Sequence, residues 1–114
     1  MQQQGNCQNI GLMFIYNTTF HIDRECYNDF VAWLRDVYIP VTVRHGALSE
    51  PRLARIIVDE KEKGENVALQ FFVARLEDLS RWYSAHGDAL SQELRDKFGR
   101  RVVGFSTIME HIEV

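Results

Sequence analysis

Six patterned segments follow one another along this chain, and their order restricts the fold more than any single motif does. Two segments with helical apolar spacing alternate with four segments rich in β-branched and aromatic residues. The four strand-like segments are LMFIYNTTFHI (12–22), RLARIIVD (52–59), VALQFFVA (67–74) and RVVGFSTIMEHI (101–112). Because 114 residues leave room for only one compact domain, the segments predict a single domain with the element order βαββαβ.

The first helical segment follows Asp23, which is a good N-cap residue. Its apolar residues keep helical spacing at Tyr27, Phe30, Val31, Leu34, Val37 and Tyr38. Pro40 is expected to end or restart this helix, and Gly46 closes the segment.

The second helical segment covers 76–98, and it contains SAHGDAL in its middle. Helical apolar spacing is present on both sides of that stretch, at Leu76, Leu79, Trp82 and Tyr83 before it and at Leu90, Leu94 and Phe98 after it. We expect the helix to be interrupted at His86 and Gly87. Gly87 would end the first part in a left-handed conformation, and Asp88 would cap the second part.

The order βαββαβ is typical of the ferredoxin-like α+β fold, in which two helices cover one face of a four-stranded antiparallel sheet. Right-handed crossovers place the first and third strands in the centre. The first strand nevertheless carries apolar residues on both faces, with Phe14 and Phe20 on one side and Met13 and Ile15 on the other. Since monomeric proteins rarely expose a large apolar patch, we expect a second copy of the chain to cover the open face in a homodimer.

Composition argues against several classes of protein. The formal net charge is −3 and no basic block occurs, so we expect no nucleic-acid partner. The N-terminus lacks the pattern of a secretory signal, and no apolar run has transmembrane length, so we expect a cytoplasmic protein without a membrane partner. Cys7 and Cys26 predict two unpaired thiols. Residues 1–11 are predicted to be a flexible tail before the domain at 12–114, and Met13 is a candidate for the natural start.

His86 is the first candidate for a catalytic residue, although the sequence leaves three roles open. A histidine at a helix interruption can act as a general acid or base over the space between helices and sheet. Alternatively His86 belongs to a structural helix break, or it is an exposed loop residue. The two structural roles are favoured, because functional histidines are the minority even in clefts.

Four further residues are candidate ligand contacts. Asn17 and His21 share a strand face and could line a small-molecule cavity, but buried polar groups more often satisfy hydrogen bonds within the fold. Tyr16 on the opposite face and Trp82 beside the helical apolar stripe are aromatic, and such residues are more often packing residues than catalytic ones. The four histidines lack the spacing of metal ligands, and no glycine-rich phosphate loop is present, so we expect neither a metal nor a cofactor.

Several stretches together resemble a known family. MFIYNTTFHID, WLRDVYIPVTVRHG, PRLARI, LQFFV and GRRVVGFSTIMEHIE are similar, in the same order, to a family of small bacterial proteins known as domain of unknown function four-two-eight-six. The family resembles the dimeric α+β barrel superfamily, in which two ferredoxin-like sheets pack face to face and which includes cofactor-independent monooxygenases. The resemblance implies the fold and the homodimer, and it implies no catalytic residues.

Two functions therefore remain open. The chain is either a homodimeric barrel that binds a small molecule in the cleft between sheet and helices, in the manner of a binder or a cofactor-independent enzyme, or a non-enzymatic dimerisation or regulatory module. The second function predicts that side chains fill the cleft, and the first predicts a cavity of roughly 300 Å³ or more.

Overall fold

Four antiparallel strands form one sheet in the computed structural model, which describes residues 12–59, 61 and 63–114. The strands are β1 (Phe14–Ile22), β2 (Leu48–Ile56), β3 (Glu65–Val73) and β4 (Val102–Glu110). They lie in the order β2-β3-β1-β4, so the first and third strands are central as predicted. The predicted flexible tail, residues 1–11, lies outside the described residues.

Two helical arms lie against one face of the sheet. The first arm consists of α1 (Tyr27–Trp33), a π turn termed π1 (Leu34–Tyr38), and α2 (Ile39–Arg44). The second consists of α3 (Leu76–Trp82), a π turn termed π2 (Tyr83–Gly87), and α4 (Asp88–Phe98). Short 3₁₀ turns at Arg24–Cys26 and Gly99–Arg101 connect the arms to β1 and β4. The ferredoxin-like α+β fold is thus confirmed.

Aromatic side chains join the sheet to both arms. The ring of Phe30 is fully buried and meets Phe20 of β1 edge to face, with the ring centroids 4.9 Å apart. It meets Phe98 at the end of α4 in the same way, at 5.4 Å. Burial of one such side chain contributes about 1.5–3 kcal/mol. The indole N–H of Trp33 donates to Glu93 Oε2 at 3.0 Å, which ties α1 to α4.

The second arm is continuous, so the expected interruption at His86 and Gly87 is wrong. The Asp88 N–H donates to the carbonyl of Tyr83, five residues back, and Gly87 has a right-handed φ of −65°. Asp88 therefore continues the helix and does not cap a new one. A Cβ on Gly87 would lie 2.7 Å from Trp82 Cζ3, so the glycine is needed for close packing and not for a left-handed turn.

The π turn also changes which residues of the second arm face the core. In a regular α-helix, the residues four and seven positions after Trp82 would share its face, namely His86 and Ala89. The extra residue of π2 brings Gly87 and Leu90 to that face instead, and both are buried.

Two boundaries differ from the predicted ones because of prolines. Pro40 was expected to end or restart the first helix, but the Ile39 N–H donates to the carbonyl of Leu34, five residues back. The first arm is therefore continuous through Pro40, which lies at the start of α2. The proline ring would collide with a carbonyl of a regular α-helix, and the wider π1 turn lies directly before it. Strand β2 begins at Leu48, earlier than predicted, and its pairing with β3 is interrupted by a bulge between Ser49 and Arg52. Pro51 lies in that bulge and is tolerated because β2 is an edge strand.

The sheet face that turns away from the arms is apolar at several positions, as predicted. On β4 the side chains of Val103 and Phe105 are exposed, and Ile15 and Phe72 are half-buried on the central strands. A polar row crosses the middle of this open face from β2 to β4 and consists of Arg52, Gln70, Asn17 and Thr107.

Candidate functional site

A cleft of about 610 Å³ lies between the sheet and the second arm, on the β4 side. Strands β1 and β4 form its floor with Tyr16, Thr18, Phe20, Gly104 and Ser106. Its roof consists of Tyr38 from π1, Tyr83 from π2, and Ser91, Leu94 and Arg95 from α4. The rim is completed by Gly99, Arg100, Val102, Val103 and Phe105.

Small residues on β4 leave this space open. Gly104 and Ser106 occupy the two β4 positions opposite Phe20 and Thr18, on the face towards the arms. A Cβ at Gly104 would lie 2.8 Å from Phe20 Cδ1, so the glycine lets the Phe20 ring lie against the edge strand. With large side chains at these positions β4 would contact the second arm directly, and no cleft would form.

A chain of three hydroxyl groups lies on the cleft floor. Ser106 Oγ donates to the phenol oxygen of Tyr16 at 3.3 Å, and Thr18 Oγ1 lies 3.0 Å from Ser106 Oγ. Since the single hydroxyl proton of Ser106 points to Tyr16, Thr18 is the donor to Ser106. The phenol proton of Tyr16 is then left to donate to a molecule in the cleft.

The two roof tyrosines come from the π turns. Tyr38 is buried, and this burial raises the pKa of its phenol, with further contributions from Tyr16 and then Tyr83. The Tyr38 phenol is therefore neutral at physiological pH and is able to donate a hydrogen bond to a ligand. Tyr83 is more exposed and borders the cleft from π2.

The charged groups of the cleft are of one sign. Arg95 and Arg100 line it, and no aspartate, glutamate, histidine or cysteine is among the described residues that do so. The chemistry on offer is hydrogen bonding by hydroxyl groups and ion pairing by guanidinium groups.

Of the five predicted site residues, Tyr16 lies in this cleft. Trp82 is buried behind it and packs edge to face against Tyr16, with the ring centroids 6.1 Å apart. The indole N–H of Trp82 has no hydrogen-bond partner among the residues that the structure describes. Trp82 thus supports the position of Tyr16 and does not line the cleft.

His86 lies in a different place. Its ring is parallel to that of His45, with the centroids 3.4 Å apart, in a separate surface pocket of about 390 Å³. Trp82 also borders this pocket, so its indole lies between the histidine pair and Tyr16. The structure therefore does not bring His86 and the cleft hydroxyls into one site.

Asn17 and His21 lie on the open face of the sheet, away from the cleft. The amide of Asn17 accepts from Gln70 Nε2 and donates to Thr19 Oγ1, each at 3.2 Å. His21 Nδ1 and Asn66 Oδ1 are 3.0 Å apart. Asn17 and His21 thus make hydrogen bonds within the fold, which is the structural alternative considered for them.

Three further residues line the cleft although no sequence pattern marks them as site residues, namely Tyr38, Tyr83 and Ser106. The two tyrosines fit the helical apolar stripes and therefore looked like core residues. Ser106 could have been found from the topology, because a β4 strand beside β1 brings it opposite Thr18.

One other groove is less suited to a ligand. A groove of about 560 Å³ between α1 and the end of α4 has a wall of mixed charge, with Glu25, Asp29, Asp36, Lys97 and Arg101.

Among the residues that the structure describes, no group of three or more histidine, cysteine, aspartate or glutamate side chains is arranged to hold a metal ion. Within that same part of the chain, no helix is both long and apolar enough to cross a membrane.

Several solved structures have a similar fold. An EthD (ethyl tert-butyl ether D) family protein from Bacillus halodurans is 16% identical, with 89% of this chain and 99% of that chain covered and a TM-score of 0.62. SnoaB, a cofactor-independent oxygenase from Streptomyces nogalater crystallised in a mutant form, is 8% identical over 90% of this chain and 95% of its own, with a TM-score of 0.62. A dimeric ferredoxin-like protein from an uncultured marine organism is 16% identical over 90% and 99%, with a TM-score of 0.52.

Sequence comparison identifies the family. No curated protein matches the chain significantly. The model of one family, described as "Domain of unknown function (DUF4286)", matches residues 13–112, which is nearly the whole described domain. The chain therefore belongs to the DUF4286 family.

Proposed function

We propose that this protein is a homodimer that binds a small molecule in the cleft between its sheet and its second helical arm. The lining of the cleft, together with its size, is the observation that carries the proposal. Its volume of about 610 Å³ is within the range of roughly 300–1,000 Å³ that is usual for ligand sites. Its walls combine aromatic rings with a few placed hydroxyl groups, which is the usual composition of such sites.

The open face of the sheet supports the homodimer. Phe105 is 66% exposed and Val103 is 55% exposed in the single chain, on the same face as Ile15 and Phe72. A second copy packed on this face would remove these side chains from water. A dimeric ferredoxin-like protein is among the similar solved structures.

Cofactor-independent catalysis is a second candidate function. The phenols of Tyr16 and Tyr38 could donate hydrogen bonds to an oxygen atom of a substrate and stabilise negative charge that develops on it. One similar structure, SnoaB, is a cofactor-independent oxygenase. Binding is the function that the cleft supports best, because hydrogen-bond donors alone are sufficient for it.

A pair of tryptophan variants tests the cleft. Ser91 lies on α4 and lines the cleft, so Ser91→Trp places a large side chain inside it. Ser80 is exposed on α3 and does not line the cleft, so Ser80→Trp is the matched control. The probe is N-phenyl-1-naphthylamine, a neutral fluorophore that brightens in apolar sites.

We expect the parent and Ser80→Trp to bind the probe with equal affinity, and Ser91→Trp to bind it about tenfold more weakly or not at all, a loss of about 1.4 kcal/mol or more. Circular dichroism verifies that all three proteins are folded. Equal binding by the two variants, or no binding by the parent, would contradict a ligand site in the cleft.

A further inference from the structure

We infer that the natural ligand of the cleft is an anion, with a ring-containing apolar body and one acidic group that Arg95 and Arg100 bind at the mouth. This inference rests on the proposed function of the same cleft. The ligand class is an aromatic or alicyclic carboxylate, phosphate ester or sulfate ester, and not a neutral or cationic molecule.

The charge of the cleft is opposite to that of the chain. The protein carries a formal net charge of −3, with 16 acidic and 13 basic residues. The described cleft lining nevertheless contains two guanidinium groups and no carboxylate. An anion that approaches this protein is thus attracted to the cleft, although the chain as a whole repels it.

The positions of the arginines indicate where the acidic group binds. Arg95 lies near the end of α4 and Arg100 in the turn that follows it, so the two arginines line the same end of the cleft. Arg95 Nη2 donates to Gln92 Oε1 at 3.0 Å, which leaves its other donors available. No hydrogen bond or ion pair to another described residue occupies Arg100.

The neighbouring Arg101 shows the contrast. Its Nε donates to the carbonyl of Phe98 at 3.1 Å, and its Nη2 donates to that of Lys97 at 3.2 Å. Arg101 therefore stabilises the end of α4, which is a common role for a basic residue there. Arg100, one residue earlier, lines the cleft and makes no such contact. Within the described part of the chain, no contact of Arg100 competes with an anion.

The interior of the cleft fits the body of the ligand. The rings of Tyr16, Phe20, Tyr38 and Tyr83 surround it on several sides, and Leu94 adds an aliphatic surface. Rings of this kind favour a flat apolar body, by edge and face contacts. A guanidinium group binds carboxylate, phosphate and sulfonate oxygens through paired hydrogen bonds. The ligand therefore needs an acidic group at the arginine end of the cleft and an apolar ring in the interior.

A matched pair of probes tests the charge requirement. 8-Anilinonaphthalene-1-sulfonate carries the same rings as N-phenyl-1-naphthylamine and adds one sulfonate group. Fluorescence titrations of both probes are made with the parent, Arg95→Gln, Arg100→Gln and the double variant. Arg75→Gln is the control, because Arg75 lies before α3, pairs with Glu77 and does not line the cleft, while its loss changes the net charge equally.

We expect the double variant to bind the sulfonate about tenfold or more weakly than the parent does, and each single variant to lose about threefold or more. The neutral probe should bind all five proteins within about twofold, and Arg75→Gln should match the parent with both probes. Raising the salt concentration should weaken sulfonate binding to the parent and have little effect on the double variant.

The outcomes separate this inference from the function on which it rests. The anionic ligand is refuted if the double variant binds the sulfonate as tightly as the parent does, or if it loses affinity for both probes equally. In either case, probe binding by the parent still supports a ligand site in the cleft. If the neutral probe does not bind the parent, or if Ser91→Trp binds both probes as the parent does, the proposed ligand site itself is refuted, and the inference with it.

Discussion

The imidazole rings of His45 and His86 stack in parallel, with their centroids 3.4 Å apart and their planes inclined by 9°. His45 follows α2 and His86 belongs to π2, so the stack joins the two helical arms at one end. Two imidazolium rings at this distance would repel each other. The contact is therefore favourable only while at least one ring is neutral.

Acid should weaken the fold through this stack. Partial desolvation lowers the pKa of His45 below its usual value, and repulsion from His86 and from Arg44 lowers it further. Because the unfolded chain then binds a proton more readily than the folded chain, stability falls as the pH drops below about 6.5. We expect the melting temperature to fall less between neutral pH and mildly acidic pH in His45→Asn than in the parent.

Because other groups also titrate in this range, the change of melting temperature with pH in His45→Asn is compared with that in a control variant. His111→Asn removes a histidine that is not part of the stack and lies beside Glu113. If His45→Asn and the parent lose stability equally with acid, the histidine stack is not a source of the pH dependence.

Gly87→Ala should destabilise the protein, although alanine usually stabilises a helix relative to glycine. The new Cβ would lie 2.7 Å from the buried ring of Trp82 and 3.0 Å from the ring of Tyr83. We expect a loss of about 1–3 kcal/mol in the free energy of unfolding, measured by denaturant titration. Ser84→Ala, at an exposed position of the same π turn, is the control and should be neutral or slightly stabilising. A stabilised Gly87→Ala would show that the turn relaxes freely.

The element order and the central position of β1 and β3 could be predicted, because they follow from periodicity and from the hand of crossovers. The π turns could not be predicted in this way. A π turn shifts the apolar pattern by one residue, and at His86 that shift looks the same as the end of one helix and the start of another. Leu90 keeps its place in the core only because the extra residue is present.

The candidate site was predicted in part. Tyr16 lies in the cleft as the sequence suggested, but Asn17 and His21 lie on the other face of the sheet. Neighbours on a strand alternate between faces, so the pattern places Tyr16 and Asn17 on opposite faces without indicating which face holds a cavity. The position of the cavity depends on the small side chains of β4, and these indicate it only when β4 is known to lie beside β1.

Tyr38 should be the last tyrosine to ionise. Its burial raises the pKa of the phenol, and negative charge on Tyr16 or Tyr83 would raise it further. The unfolded chain loses this proton first as the pH rises above about 10, so stability is lost in that range. In an ultraviolet titration of tyrosine absorbance, Tyr38→Phe should lack the latest phase. Tyr27→Phe, which removes a tyrosine outside the cleft, should retain it, and loss of the phase in both variants would contradict the assignment.

The homodimer can be tested by a charge in the middle of the open face. Ala68 lies on β3, opposite Thr19 of β1 and Ala54 of β2. Ala68→Arg would bury an unpaired guanidinium in a sheet-to-sheet interface, so we expect a monomer by size-exclusion chromatography with light scattering. Ala89→Arg, at an exposed position of α4, is the matched control and should be dimeric like the parent. A monomeric parent would contradict the proposed homodimer, and a dimeric Ala68→Arg would show that the interface lies on another surface.

The π turn of the second arm also makes the roof of the cleft sensitive to the length of the chain. Loss of one residue from π2 would restore a regular α-helix and rotate everything beyond it by about 100° about the helix axis. Ser91 and Arg95 would then leave the cleft, and other side chains of α4 would take their place above the same strands. A single codon gained or lost here could thus exchange the ligand-facing surface of the arm while the sheet beneath it is unchanged.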